Sequence, residues 1–438
     1  MARTLTNSNT FKERAKKVVP HLTGTFSRAA PSYVEGVFPV YVQNAHGSHF
    51  IDVDGNEYID YVMALGPITL GYNYESINQA IVSQLKEGIL FSLPHPIEVE
   101  LSEKICNVIP HAEMVKFEKS GSNAVTGAVR AARAFTKRDK IAYCGSGGVW
   151  HDWQAAMVSR DSGIPMFNSE LIKTFDYNDA DGLEQIFEDN KNEIAAVVLE
   201  PTVYEQPQNN FLNKVRQLTN QNDSVLVLDE IVTGFRFDLG GAQKYFNIKG
   251  DLVCFGKGMG NGLPISSITG SSEFMKSFDE LWVSSTNNSE NLSLAGTYAV
   301  IKEMQEKKTI SHCWNIGKKL FDGWNQTVKK FNLDAKMYGY PIRMHLQCFD
   351  SDKNESLSLK SLLLQEMVKN GIFMSVLGST FICYSHSEKD VENTLISLEN
   401  TCEFVTKNVK NGNYEEFLEG DMPKSIWSMK IEPTKKRI

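Results

Sequence analysis

The stretch SVLVLDEIVTGFR, residues 224–236, decides which fold the chain can adopt. It begins with a short run of valines and leucines and then reaches two acids, Asp229 and Glu230. A short run that is apolar on both faces is typical of a strand inside a parallel sheet. A carboxylate at the end of such a strand is costly to bury unless a cation holds it ionised. The stretch therefore predicts a buried strand whose terminal acid faces either a protonated ring nitrogen or an ordinary salt-bridge partner.

Two further stretches have the same character, IAAVVLE at residues 194–200 and DLVCFG at residues 251–256. Helix-like segments separate these runs, so the sequence predicts an α/β fold with a mostly parallel sheet covered on both faces. Ligands of such sheets bind beyond the carboxyl ends of the strands. We expect a large domain over residues 66–310, with residues 1–65 joining a smaller α+β lobe formed by residues 311–438.

Composition excludes several classes of function. Among 438 residues, 45 are Lys or Arg and 53 are Asp or Glu, and the net charge of −8 argues against a nucleic-acid partner. No stretch reaches the roughly 20 apolar residues that span a bilayer, so no membrane partner is expected. The seven cysteines are scattered without a CxxC pair, which predicts neither a metal site nor a disulfide framework. Because the N-terminus lacks an apolar signal segment, we expect a cytoplasmic protein.

Lys257 directly follows the third apolar run and lies in the glycine-rich stretch GKGMGNG, residues 256–262. Such a loop would hold the amine close to a cleft. A desolvated lysine loses its proton more readily and becomes a nucleophile toward aldehydes. A solvent-exposed loop lysine is the plain alternative. The spacing is not that of a nucleotide-binding P-loop, because GxxxxGK[ST] is absent.

The stretch Ser120-Gly121-Ser122-Asn123 stands between a predicted strand and a helix that begins near Ala124. Small residues at a helix start expose backbone N–H groups and the positive end of the helix dipole, which suits a phosphate. A plain N-cap is the alternative. Together, a phosphate cradle, a strand-end carboxylate and a loop lysine are the three attachments of pyridoxal 5′-phosphate (PLP).

Over nearly its whole length the sequence resembles the class III, fold-type I aminotransferases. The segments DEIVTGFR (229–236) and FGKGMGNGLPISSITG (255–270) carry the most specific part of this resemblance, and KSGSNAVTGAVRAARAFTKRDKIA (119–142) and SSTNNSENLSLAG (284–296) extend it. Within the family the chain is most similar to glutamate-1-semialdehyde aminomutase and to aminotransferases encoded with surface-sugar genes. The resemblance implies an α/β, fold-type I PLP-dependent transferase with PLP as cofactor.

Carried over position by position, the resemblance implies roles for five residues. Lys257 would form the Schiff base with the cofactor, and Asp229 would be the partner of the pyridine nitrogen. Ile231 would press on one face of the ring. Gly121 and Ser122 would bind the phosphate.

Four further positions have implied roles. Thr286 matches a threonine that reaches the phosphate from the neighbouring subunit, which implies a homodimer with shared active sites. Glu200 matches a position that supports the site without doing chemistry. Glu205 replaces an asparagine near the ring oxygen of the cofactor, where a second acid would alter the protonation balance. Arg28 roughly matches the substrate-binding arginine of the aminomutase.

One departure from the family concerns the aromatic residue that stacks on the cofactor ring. The chain reads CGSGGVWHDW over residues 144–153, with Ser146 and Gly147 where the family has Tyr-His. A serine cannot stack, so Trp150 covers the ring, Val149 covers it, or that face is open. We expect Trp150 to be the substitute, since stacking on a ring adds roughly 0.5–1.5 kcal/mol beyond the buried area.

The resemblance leaves three functions open. The first is a transaminase that moves an amino group from an amino-acid donor to a keto-sugar or a small carbonyl acceptor. The second is an aminomutase acting on a substrate like glutamate semialdehyde. The third is a non-catalytic descendant that keeps the fold, against which the presence of both Lys257 and Asp229 argues.

Overall fold

The computed structural model describes residues 3–145, 152–158, 162–165, 167–410 and 412–424. These residues cluster into two units, one formed by the described parts of 1–74 and 311–426 and the other within Glu75–Ile310. The domain boundaries that the sequence predicts, at residues 65 and 310, stay a prediction. Within the described ranges, no helix is both long and apolar enough to cross a lipid bilayer.

The described residues form fourteen strands. They are β1 Val42–His46, β2 His49–Asp52, β3 Glu57–Asp60, β4 Met114–Glu118, β5 Lys140–Cys144, β6 Ile172–Phe175, β7 Ile194–Leu199, β8 Val225–Glu230, β9 Leu252–Phe255, β10 Ser266–Gly270, β11 Ala335–Tyr340, β12 Arg343–Cys348, β13 Ile372–Phe373 and β14 Thr380–Phe381.

Fourteen α-helices are found in the same residues. They are α1 Thr6–Ala15, α2 Glu75–Glu87, α3 Pro96–Val108, α4 Gly121–Thr136, α5 Asp152–Ala155, α6 Phe167–Glu170, α7 Ala180–Asp189, α8 Phe211–Gln221, α9 Gly241–Tyr245, α10 Ser272–Met275, α11 Asn291–Glu306, α12 Thr309–Lys330, α13 Leu357–Lys369 and α14 Glu388–Asn408.

A seven-stranded sheet organises the unit within Glu75–Ile310, in the order β4-β10-β9-β8-β7-β5-β6. Strands β6, β5, β7, β8 and β9 are parallel, and β10 runs antiparallel to both of its neighbours. Every residue of β7, β8 and β9 is buried, as the apolar runs in the sequence predict. The prediction of a mostly parallel sheet buried on both faces is therefore confirmed.

Helix α4 packs its small-residue face onto this sheet. Its buried side chains are mainly alanine and valine, and they belong to the same apolar cluster as residues of β7, β8 and β9. Small side chains let the helix lie close to the strands. Strands β4 and β9 both run antiparallel to β10 and so are parallel to each other, and α4, which follows β4, therefore begins at the edge where the parallel strands end. This position brings the Ser120–Asn123 stretch to the carboxyl ends of the strands.

The other unit contains two smaller sheets, β1-β2-β3-β13 and β11-β12-β14. The Asp54-Gly55 pair predicts a tight hairpin between β2 and β3, and Gly55 has the required positive φ of +84°. Strand β13 pairs in parallel with β3, through Ile372 opposite Ile59 and Phe373 opposite Asp60. The N-terminal hairpin thus shares a sheet with β13, a strand more than 300 residues later in the chain. That residues 1–65 join the C-terminal lobe stays a prediction.

Candidate active site

The carboxyl ends of β8 and β9 bring the predicted acid and lysine to one edge of the sheet. These strands are parallel neighbours, and Asp229 of β8 lies opposite Cys254 of β9. Strand β9 ends at Phe255, so Lys257 follows its end by two residues. Because parallel strands end at the same edge, the sequence positions of the two residues place them side by side along the sheet.

Asp229 is a buried carboxylate, with 9% of the residue exposed. Its Oδ1 accepts the backbone N–H of Ile231 at 3.0 Å, which fixes the carboxylate against the turn that follows β8. Burial raises the pKa of the Tyr143 phenol and of the Cys254 thiol well above their usual values, and the negative charge of Asp229 raises both further. The negative charge of Asp229 therefore acts on the neighbouring strand β9 and on β5, which lies beyond β7 in the sheet, and the acid suits a cationic ring nitrogen.

Lys257 has an unusual backbone conformation. Its φ is +39°, in the left-handed region that residues other than glycine rarely adopt, and it begins a single 3₁₀ turn, Lys257–Gly260. The side chain is partly buried, while Gly258, Met259 and Gly260 after it are buried. Strained residues of this kind cluster at functional sites, because the surrounding structure must over-determine their position.

The start of α4 is capped and tightly fitted. The Ser120 Oγ accepts the backbone N–H of Asn123 at 3.2 Å, and the Ser266 hydroxyl of β10 donates to the Ser120 carbonyl at 2.7 Å. A Cβ atom at Gly121 would lie 2.8 Å from Cγ2 of Ile231, so no other residue fits there without a shift. Ser122 follows in the first turn, where backbone N–H groups point away from the helix.

Ile231 is the point where the three parts meet. It is buried, its backbone N–H donates to the Asp229 carboxylate, and its side chain fills the space that a Cβ atom at Gly121 would occupy. A Cβ atom at Gly256, the residue before Lys257, would also lie 3.2 Å from Cδ1 of Ile231. The strand-end acid, the helix start and the lysine loop are therefore arranged around one isoleucine side chain.

Glu230, next to the candidate acid, has a structural role. It is fully buried and accepts the backbone N–H groups of Ala242 at 2.8 Å and Gln243 at 2.5 Å, together with the Thr233 hydroxyl. Burial raises the pKa of Glu230 to about 7, although these hydrogen bonds favour the charged form and lower it. Glu230 thus attaches the end of β8 to the start of α9.

Thr286 lies in an exposed turn that is fastened to the segment before the phosphate candidate. Asn288 donates to the Glu118 carboxylate at 3.0 Å, and Lys119 forms a 2.8 Å ion pair with Glu290. Since Glu118 and Lys119 immediately precede Ser120, the turn is held beside the start of α4. The contact of Thr286 with a neighbouring subunit stays a prediction.

The remaining predicted residues lie in different settings. Glu200 is buried directly after β7, and its charge helps to raise the pKa of Tyr143. Glu205 is exposed, with Oε2 3.4 Å from the Asn178 amide nitrogen. Arg28 belongs to the other unit and donates to the Ala64 carbonyl at 3.2 Å. Their predicted functional roles remain predictions.

Trp150, predicted to cover the cofactor ring, lies outside the described residues, as do Ser146, Gly147 and Val149. Trp153 is described, and its indole N–H donates to the Thr126 hydroxyl at 3.0 Å, while its ring meets Tyr143 edge-on. Trp153 is thus held against α4 and β5.

Sequence reasoning missed the residues that hold the site together across long sequence distances. Ser266, Asn288 and Glu290 were not singled out, although they bind Ser120, Glu118 and Lys119. A lone serine in a strand and two polar residues in a loop have no local pattern that distinguishes them. The antiparallel register of β10 and β4, with Ser266 opposite Glu118, is what brings Ser266 to Ser120.

Comparisons with known proteins agree with this geometry. A family model described as aminotransferase class-III matches residues 31–386. The 3-aminobutyryl-CoA aminotransferase of Cloacimonas acidaminovorans is 32% identical over 411 residues, which cover 92% of this chain and 98% of that protein. The glutamate-1-semialdehyde 2,1-aminomutase of Acetivibrio thermocellus is 31% identical over 419 residues, covering 90% and 96% of the two chains. Among solved structures, the PLP-containing FumI protein of Sphingopyxis sp. MTA144 has a TM-score of 0.86 at 24% identity, covering 95% of this chain and 99% of that one.

Proposed function

The chain belongs to the class-III aminotransferase family, and we propose that it moves an amino group from an amino-acid donor to a keto-sugar or small carbonyl acceptor. The fold is that of the fold-type I PLP-dependent transferases. The observation that carries the proposal is the arrangement of Asp229, Gly121 and the Lys257 loop around Ile231.

The residues of this edge fit PLP by the chemistry of their donor groups. A buried carboxylate, a helix start with backbone N–H groups and a lysine amine match a ring nitrogen, a phosphate and an aldehyde. The glycine at residue 121 fits as well, because it keeps a Cβ atom out of the space beside Ile231. When bound, PLP supplies an aldehyde carbon that combines with amines and a ring that withdraws electrons from them.

Each protein group has a separate task in this proposal. Asp229 keeps the proton on the ring nitrogen, because its carboxylate lies in a buried setting where an ion pair is strong. Gly121 and Ser122 hold the phosphate through backbone N–H groups at the start of α4. The Lys257 amine binds the aldehyde and then accepts and returns a proton at Nζ.

We propose a homodimer in which Thr286 completes the phosphate site of the partner. The support is an exposed apolar loop, with Ile89, Leu90, Phe91 and Leu93 all in contact with solvent. The backbone N–H of Asn291 donates to the Ile89 carbonyl at 2.8 Å, so this loop adjoins the segment that contains Thr286. Clustered exposed apolar residues mark interaction surfaces.

An aminomutase is the second candidate, favoured by the 31% identity to the enzyme of Acetivibrio thermocellus. The two reactions differ in how the cofactor returns to its starting form. A transaminase needs a separate carbonyl acceptor, whereas an aminomutase regenerates the starting form with one substrate alone. A non-catalytic protein would not change the bound cofactor with any amino donor and would not isomerise an aminomutase substrate.

The deciding experiment incubates the purified holoenzyme with single amino donors, such as glutamate, alanine and 3-aminobutyrate. We expect one donor to convert PLP to pyridoxamine phosphate, measured by chromatography after acid release, and an added carbonyl acceptor to reverse the change. Borohydride reduction followed by peptide mapping should leave the cofactor on Lys257, and Lys257→Ala should fold but lose both results. Cofactor attached to another lysine would contradict the assignment, and no conversion with any donor would contradict the function.

A further inference from the structure

An ion pair between Lys119 and Glu290 joins the segment before α4 to the start of α11. Lys119 Nζ lies 2.8 Å from Glu290 Oε1, and 20% and 15% of the two side chains are exposed. In this partly buried setting, salt screens the attraction less than it screens an exposed pair. Burial raises the pKa of Glu290, but the hydrogen bonds from Lys119 and Ser293 and the charge of Lys119 outweigh burial, so the pKa lies below its usual value. Glu290 is therefore ionised at neutral pH.

Glu290 is also the N-cap of α11. Its Oε2 accepts the backbone N–H of Leu292 at 2.9 Å, and its Oε1 accepts the backbone N–H of Ser293 at 3.1 Å together with the Ser293 hydroxyl. These bonds fix the carboxylate relative to the first turn of the helix. Because the same carboxylate binds Lys119, any displacement of α11 either moves the segment before Ser120 or breaks the ion pair.

Helix α11 packs against the 3₁₀ turn that contains the lysine, Lys257–Gly260. A Cβ atom at Gly260 would lie 3.8 Å from Oγ1 of Thr297 in α11, and a Cβ atom at Gly296 would collide with Cδ1 of Leu263, which follows the turn. Both α11 residues are buried. Close-packed contacts of this kind transmit a displacement, because no empty space absorbs it. The position of α11 therefore affects the position of the lysine turn.

The start of α4 and the lysine turn are thus connected in two ways. The first connection is the Ile231 side chain, which lies against both Gly121 and Gly256. The second runs from Lys119 through Glu290 to α11 and its contact with the turn. Two attachments bind one ligand tightly only when their spacing matches the length of that ligand.

We propose that Lys119 and Glu290 are positioning residues, whose ion pair sets the spacing between the start of α4 and Lys257 so that one PLP molecule spans both. This inference rests on the roles proposed above for those two parts of the site. Lys119 and Glu290 act here without touching the cofactor. Breaking the pair should therefore leave each attachment intact and weaken only a ligand that must reach both.

The test measures binding of three ligands to the full-length apoenzyme. PLP is followed by absorbance titration, and inorganic phosphate and pyridoxal, which lacks the phosphate group, by titration calorimetry. In Lys119→Met and in Glu290→Gln we expect PLP to bind at least tenfold more weakly, because the two attachments no longer fit one ligand. Phosphate and pyridoxal should stay within about threefold of the parent, since each uses one attachment. Lys119→Arg, which keeps the positive charge, should bind PLP as the parent does.

Lys140→Met is the matched control. Lys140 forms a comparable ion pair with Glu193 at 2.5 Å, with 26% of the lysine side chain exposed, but it begins β5 at the amino ends of the parallel strands. Its PLP affinity should equal that of the parent. Glu290→Gln separates positioning from simple charge attraction, because on charge alone the loss of an anion beside the phosphate site would strengthen PLP binding.

Unchanged PLP affinity in Lys119→Met and Glu290→Gln would overturn the inference, as would tighter PLP binding in Glu290→Gln. Equal losses for all three ligands would also overturn it, because they would show damage to the attachments themselves. Conversion of PLP by amino donors is measured separately. Conversion in the parent with unchanged PLP affinity in the variants leaves the proposed function standing and removes this inference; the expected affinities without conversion leave the positioning role standing and remove the function.

Discussion

Asp229 and Glu230 are adjacent in β8, and their carboxylates serve different purposes. Successive side chains of a strand point to opposite faces of the sheet. Glu230 accepts backbone N–H groups at the start of α9, whereas the charge of Asp229 is felt by Tyr143 and Cys254. A sequence reader sees two acids at a strand end and cannot assign these roles, because they depend on which helix each face meets.

Asp229→Asn should retain part of the cofactor but lower kcat about 100-fold or more, because an amide cannot hold a proton on the ring nitrogen. Steady-state kinetics with saturating PLP measures the effect. The matched control is Glu230→Gln, which we expect to lower the melting temperature and to leave kcat nearly unchanged. Near-normal turnover in Asp229→Asn would mean that this acid is structural as well.

Gly121→Ala should weaken PLP binding at least tenfold, because the added Cβ would lie 2.8 Å from Cγ2 of Ile231 and force the start of α4 to shift. Absorbance titration of the apoenzyme gives the dissociation constant. Gly24→Ala is the control, since an added Cβ there meets nothing within 4 Å. Equal affinities in the two variants would show that the close fit at Gly121 has no part in cofactor binding.

Secondary-structure elements were predictable where local sequence and tertiary contacts agree. The buried strands β7, β8 and β9 have continuous apolar runs, and the start of α4 has a serine cap. The two-residue strand β13, Ile372–Phe373, could not be predicted, because its existence depends on pairing with β3. The turn after β3, in which residues 63–65 have positive φ, could not be predicted either. Asp60 holds this turn through hydrogen bonds to the backbone N–H groups of Val62 and Met63, and no sequence pattern indicates such bonds.

Strand β12 and helix α13 bring two basic side chains together, His345, which is partly buried, and Lys360, which is buried. Lys360 Nζ lies 3.5 Å from Nε2 of His345. Burial lowers the pKa of Lys360 to about 8, and burial, followed by the charge of Lys360, lowers that of His345 to about 4. Each group holds its proton less tightly in the folded than in the unfolded chain, so folding is penalised as the pH falls.

Lys360→Met should therefore increase the free energy of unfolding at pH 7 by up to about 3 kcal/mol, following the lowered pKa of the lysine. The gain should shrink as the pH rises above about 8 and vanish above the unfolded-state pKa of about 10.4, where the lysine is uncharged in both the folded and the unfolded chain. Urea denaturation at several pH values measures it. Lys318→Met, an exposed lysine on α12, should change stability by less than about 0.5 kcal/mol at every pH. A lower free energy of unfolding in Lys360→Met at pH 7 would contradict the proposal that burial of the charged lysine destabilises the fold.

At the scale of the whole molecule, the exposed loop before α3 predicts association. Leu93 is 78% exposed, so Leu93→Asp should leave the folded subunit intact while placing a charge in the proposed dimer surface. We expect sedimentation equilibrium to show a dimer for the parent and at least tenfold weaker association for this variant. Ile396→Asp, at 52% exposure on α14, should remain dimeric. A parent that is monomeric and active at assay concentration would refute shared active sites.

The overall class of fold followed from the alternation of apolar runs and helices, and the candidate acid, lysine and helix start followed from their positions at strand ends. The long-range contacts that hold these parts together could not be predicted from the sequence. The pairs Asn288–Glu118 and Lys119–Glu290 join residues about 170 positions apart. Such contacts are fixed by topology, and topology is a property of the whole chain.

The pairing of β3 with β13 sets an order of events during protein synthesis. About 300 residues separate the two partners, which at 5–20 residues per second is a delay of roughly 15–60 s. Through that interval the N-terminal hairpin has emerged with one edge unpaired, while the segment Glu75–Ile310 already contains all seven strands of its own sheet. An unpaired strand edge is a template for aggregation. The nascent chain therefore contains all the strands of its larger sheet while the edge of β3 is still without its partner strand.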